Sequence, residues 1–257
     1  MSRIDAAFRE LRDARRTGLI TYTTAGDPDL ERSGEILLRL DRAGADILEV
    51  GVPFSDPLAD GPVIHAAGTE ALAAGVTPDD VLGVCEVAAA RLPVVLMVYA
   101  NVILHAGAEV YARRAAAAGA AGLIVPDLSH EEAGELRDAC DAAEIELVGL
   151  VAPATSEARL AQIGAQARGF VYAVSLAGTT GERSELAPEL AGLVARTRAS
   201  TANPVAVGFG ISTPAQARAV GELADGVIVG SRVVRAAGEG GARAVGALVA
   251  ELAAALA

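Results

Sequence analysis

The chain has 257 residues, 52% of them hydrophobic and 21% charged, which excludes disorder and fibrous structure and suits one core burying about 70–75% of the unfolded surface. Acidic residues outnumber basic ones 33 to 21, and the resulting net charge of −12 repels polyphosphate backbones and anionic bilayers, so no nucleic acid or membrane partner is expected. All 21 basic residues are arginine, which rules out a Schiff base from a protein lysine to a carbonyl substrate or to pyridoxal phosphate.

The chain opens MSRIDAAFRE, a charged amphipathic start that predicts an N-terminal helix and lacks the apolar stretch of a signal peptide. Nothing approaches the roughly 18 unbroken apolar residues of a membrane span, and a cytoplasmic protein is expected. Beyond that helix, short runs rich in branched residues alternate with helical patterns. Strands are predicted at 19–23, 46–50, 94–98, 122–125, 146–151, 169–174, 204–208 and 226–229. Helix starts are marked by Asp27-Pro28, Thr77-Pro78, Thr213-Pro214 and the pair Ser129 and Glu132, each placing a capping side chain ahead of a first helical turn.

Eight strand-helix units in this length predict an α/β fold of the (β/α)8 TIM-barrel type, with residues 1–257 forming a single domain. The alternative is an open doubly wound sheet. That fold usually carries a glycine-rich dinucleotide loop after its first strand, and Thr24-Ala-Gly-Asp-Pro28 lacks the spacing. Two connections are longer than the rest, 51–61 and 177–188, and in a barrel both lie at the C-terminal mouth, where they read either as lids or as ordinary surface loops.

Candidate chemistry collects at that mouth. Glu49 ends an apolar strand, where a carboxyl is either paired as a structural plug or protonated and reactive. Asp60, eleven residues on, reads alone as a turn aspartate, as does Asp56 before Pro57. Tyr22, Tyr99 and Tyr172 fall at the ends of strands one, three and six, and read either as core plugs or as walls gripping a flat ring. Glycines at 178, 181, 208, 210 and 230, with Ser231 opening a helix, place backbone N–H groups where barrels bind phosphate. Cys85 and Cys140 stand apart and read as reduced packing residues; His65, His105 and His130 lack the spacing of a helical metal site, so no metal is expected.

The run from Leu48 to Pro62, LEVGVPFSDPLADGP, closely resembles the signature of the tryptophan synthase alpha subunit family. Tyr99-Ala-Asn101, Pro126-Asp127 and the glycine segments after strands six to eight resemble that family too, in order and over nearly the whole chain. The resemblance implies a lyase that cleaves indole-3-glycerol phosphate to indole and glyceraldehyde 3-phosphate without a cofactor. By similarity Glu49 and Asp60 are the catalytic carboxyls. Tyr22 and Tyr172 line the ring pocket, and Thr180, Gly181, Phe209, Gly210, Gly230 and Ser231 hold the phosphate. Three positions depart from the family pattern: Tyr22 stands for a usual phenylalanine, Thr179 for a valine and His65 for a common glutamine. The resemblance also implies docking on a pyridoxal phosphate-dependent beta subunit in an α2β2 heterotetramer, with Pro53, Asp56 and Pro57 in the contact. A stand-alone lyase releasing free indole and a catalytically silent, partner-activating barrel are the other readings.

Overall fold

The computed structural model describes residues 2–174, 189–208 and 210–257. Helix α1 (Arg3–Asp13) is started by Ser2, whose side chain accepts from the Asp5 N–H while Asp5 returns a bond to the Ser2 backbone. Then follow β1 (Gly18–Thr24), α2 (Leu30–Ala43), β2 (Ile47–Gly51), α3 (Pro62–Ala73), α4 (Pro78–Ala89) and β3 (Val94–Met97). The middle of the chain forms α5 (Ala100–Ala106), α6 (Ala108–Ala117), β4 (Ala120–Ile124), α7 (Gly134–Ala142), β5 (Glu146–Leu147), β6 (Gly149–Val151) and α8 (Glu157–Gln166). It closes with β7 (Val171–Val174), α9 (Leu190–Ser200), β8 (Val205–Gly208), α10 (Pro214–Gly221), β9 (Gly226–Val229) and α11 (Ser231–Ala255), the last in two helical pieces meeting at Gly240 and Gly241.

All pairings are parallel, in the order β5-β4-β3-β2-β1-β9-β8-β7-β6. The two ends of that sheet are halves of one strand. Only Val148 separates β5 from β6, and its N–H still donates to the Leu123 carbonyl at 2.9 Å. The predicted fifth strand is therefore split: its first half pairs with β4 and its second with β7, because the strand tilt that closes a barrel offsets the two neighbours along it. Counted through Val148, eight strands form a closed (β/α)8 barrel.

Strands covered on both faces read as continuous apolar runs, and alternation along them assigns the two sides. Leu19, Leu48, Leu96 and Leu123 face the helical ring, while Ile20, Ile47, Val95, Ile124, Val148 and Ile228 fill the barrel interior. Helix α1 joins the interior set through Ile4, Phe8 and Leu11, one face of a helix at i, i+4 and i+7. It lies across the N-terminal strand ends and plugs them, with Phe8 packed on Phe170 at 5.8 Å between ring centroids. Phe8→Ala is expected to cost about 3–5 kcal/mol in urea unfolding, as removal of a buried aromatic from a packed core does. Glu49 and Asp60, toward the opposite end of the barrel, are expected to keep their places.

The caps at Thr77 and Thr213 form as predicted, each a capping box with Pro at the first turn. Two others are corrected. Helix α2 is capped by Asp29, which accepts from the Arg32 N–H at 2.8 Å, so Asp27-Pro28 belongs to the preceding turn. Ser129 donates to Glu132 at 2.8 Å within a turn, and α7 begins only at Gly134. Cys85 and Cys140 are buried free thiols. No described helix is long and apolar enough to cross a membrane.

Candidate active site

Glu49 points into the barrel from β2, beside Tyr22 of β1 and Val95 of β3 in the register of the sheet. It is 2% exposed, and its Oε2 has no hydrogen-bond partner among the described residues. Burial, reinforced by the charge of Asp60, pushes its carboxyl up to about 8. Glu49 is thus a neutral acid near pH 7, with one oxygen unpartnered among the described residues. The structural-plug reading required a pairing cation, and none lies within salt-bridge distance among the described residues.

Asp60 comes from the connection between β2 and α3, whose chain turns so that the Asp60 N–H donates to the Pro57 carbonyl at 3.3 Å. Burial raises its carboxyl to about 6, against the lowering pull of the Tyr99 hydroxyl and of His65 on α3. Asp60 is consequently ionised at neutral pH. Two carboxyl groups lining one cavity hold opposite protonation states.

The aromatic walls depend on two glycines. A Cβ at Gly51 would sit 2.1 Å from the Tyr22 hydroxyl, and one at Gly208 would sit 2.3 Å from that of Tyr172, so each ring lies across a neighbouring strand that has no side chain there. The extra hydroxyl of Tyr22 is turned to Thr24, 3.3 Å from its Oγ1. Burial keeps both phenols far above their ordinary range, hence neutral.

The cavity encloses about 620 Å3, its mouth included. Its wall is apolar, from Ile64, Met97, Ile124, Leu150, Ile211 and Ile228, and at one side Gly210, Gly230 and Ser231 meet it. Ser231 is the first residue of α11, and Gly230 before it supplies no capping side chain, so a positively polarised helix end faces the cavity.

Most sequence-predicted positions are thereby placed. Glu49, Asp60, Tyr22, Tyr172, Gly210, Gly230 and Ser231 line one cavity. Thr180, Gly181 and Phe209, and the long connection at 177–188, lie outside the described residues. Tyr99 is not among the residues lining the cavity: it is 1% exposed with its ring stacked on Phe54 at 5.0 Å, so of its two readings the core plug holds and the ring-pocket wall does not. On the outer face of the same loop Asp56 is exposed, Pro57 half-buried and Pro53 buried. Sequence reasoning passed over Leu58 and Leu104, 80% and 66% exposed, and the inward apolar residues Met97, Ile124, Leu150 and Ile228. The two-residue alternation of each strand, counted from Glu49, gives the signal for Met97 and its neighbours.

A barrel with a protonated acid, a carboxylate and an open helix end around an apolar cavity is built for acid–base work on a flat, anionic substrate. The chain belongs to the tryptophan synthase alpha chain family, whose profile it matches over residues 8–255. It is 48% identical over 255 residues to the tryptophan synthase alpha chain of Synechococcus elongatus, covering 98% of this chain and 96% of that one. With the alpha chain of Carboxydothermus hydrogenoformans it shares 50% identity over 238 residues, 91% of this chain and 88% of the relative. Among solved structures it superposes on Mycobacterium tuberculosis tryptophan synthase with a TM-score of 0.94 at 41% identity, covering 99% of this chain and 98% of that chain. The alpha subunit from Legionella pneumophila gives 0.92 at 38%, covering 100% and 98%.

Proposed function

We propose that this cavity cleaves indole-3-glycerol phosphate into indole and glyceraldehyde 3-phosphate, with Glu49 as general acid and base and Asp60 as the group facing the ring nitrogen. The observation that carries the reading is the pair of unlike carboxyl groups: Glu49 held protonated near pH 7 and Asp60 held ionised, in one cavity. Glu49 delivers its proton to ring carbon C3, which leaves positive charge on the ring nitrogen. Asp60 accepts the hydrogen bond from that nitrogen and stabilises the charge. The Glu49 carboxylate then removes the proton from the side-chain hydroxyl next to C3. The carbon–carbon bond breaks, its electron pair neutralises the ring, and an aldehyde and indole remain. Glu49 ends protonated, ready for the next cycle.

The cavity lining and the family resemblance support the remaining contacts. Tyr22 and Tyr172 flank the ring with the apolar wall, and Gly210, Gly230 and Ser231 take the phosphate at the start of α11. Thr180, Gly181 and Phe209 complete the phosphate site by family resemblance. Asp56, Pro57, Leu58 and Leu104 offer an exposed face at the mouth for a beta chain, against which two large apolar side chains would be covered. Release of glyceraldehyde 3-phosphate from indole-3-glycerol phosphate, measured for the purified chain alone and with a tryptophan synthase beta chain, tests both parts. Slow cleavage accelerated by the partner is the expected result. Equal fast turnover without it would make the chain a stand-alone lyase, and no cleavage in either condition would reject the reading.

A further inference from the structure

Tyr99 ends the segment after β3 and is the residue at the head of α5, only 1% exposed although it sits beneath an exposed loop. Its hydroxyl meets two consecutive residues of that loop. It accepts from the Ala59 N–H at 3.1 Å and donates to Asp60 Oδ1 at 3.0 Å. The directions are fixed by the partners: an amide N–H can only donate, so the hydroxyl accepts from Ala59, and an ionised carboxylate can only accept, so the hydroxyl gives its one proton to Asp60. The ring is stacked on Phe54, with 19° between planes.

We propose that Tyr99 is a positioning residue for this site, its hydroxyl fixing the Asp60 carboxylate in the orientation that faces the substrate ring. The proposal rests on the reading of Asp60 given above and extends it to a residue outside the cavity. A carboxylate held by a committed donor needs no reorganisation when charge develops opposite it, which is where such groups gain their effect. Other groups also act on Asp60: Glu49 from β2, Tyr22 from β1 and His65 from α3. Tyr99 alone among these has a hydrogen bond to it.

Tyr99→Phe keeps the ring and its stack and removes only the donor. The carbon-13 signal of the Asp60 carboxyl is expected to titrate about one pH unit higher in Y99F than in the wild type, since a lost bond to a charged acceptor disfavours the ionised form. The kcat for cleavage should fall about tenfold while KM stays within about threefold. In Y99F/D60N the loss should equal that of D60N, because Tyr99 acts through Asp60. Phe54→Leu, which loosens the stack and keeps the hydroxyl, should leave the Asp60 titration near its wild-type position. An unmoved Asp60 titration in Y99F, an equal movement in the Phe54 variant, or multiplying losses in the double variant would each overturn the proposal. If the wild type fails to cleave the substrate, the functional reading falls, and the titration still decides whether Tyr99 orients Asp60.

Discussion

Replacing Glu49 with glutamine is expected to lower the cleavage rate by about 10^3-fold or more while phosphate-dependent binding of the substrate persists. Glutamine has nearly the same shape, so the barrel wall is preserved, but it can neither give a proton to C3 nor take one from the hydroxyl. One group serving both transfers loses both together, and each general acid or base contribution is typically 10^2 to 10^4. Stability should move the other way with pH. The folded protein holds a proton on Glu49 up to about 8, whereas the unfolded chain releases it near 4.5, so between these values the folded state binds the extra proton. The Glu49 contribution is most favourable below about 4.5 and is lost as pH rises through 8. E49Q carries no such loss. Urea unfolding at pH 5.5 and at pH 8 should show E49Q gaining on the wild type at the higher pH, a stability cost that the wild type bears for its reactive acid. Residual turnover within tenfold of wild type would remove Glu49 from its role.

The second large effect is in the pH profile. Activity needs Glu49 protonated and Asp60 ionised, so kcat/KM should be bell-shaped, with limbs near about 6 and about 8. The acid limb overlaps the ionisation of the substrate phosphate, close to pH 6. The alkaline limb isolates Glu49. Asp60→Asn should lower kcat about 10^2- to 10^3-fold, the usual effect of removing a charge-stabilising partner of the transition state, with KM little changed. A rate still rising at pH 9 would contradict the assignment of Glu49 as the acid.

Much of this was legible in the sequence, for local reasons. Continuous apolar strands, Pro after a capping residue, and a carboxyl interrupting an apolar strand are all written within a few residues, and they carried the barrel and marked Glu49 as either plug or acid; Asp60 read alone as a turn residue, and its role came from the family resemblance. What escaped depends on pairing between distant segments or on which of several nearby residues starts a helix. The split of the fifth strand at Val148 arises from two neighbours meeting its halves at different heights. Asp27 and Ser129 had the chemistry of caps, but the helices begin further on, where Asp29 and Ala133 stand. Tyr99 was visible as an aromatic at a strand end. Its partner Asp60 lies 39 residues away, and only the folded loop reveals that the hydroxyl is turned to a carboxylate.

The protonation order of the two carboxyl groups is the centre of the account, and carbon-13 titration of their side-chain signals in the free protein measures it directly. Glu49 should remain protonated at pH 7 and titrate near 8, with Asp60 already ionised by pH 7. A Glu49 that is ionised at pH 7, or an Asp60 that holds its proton above Glu49, would contradict it.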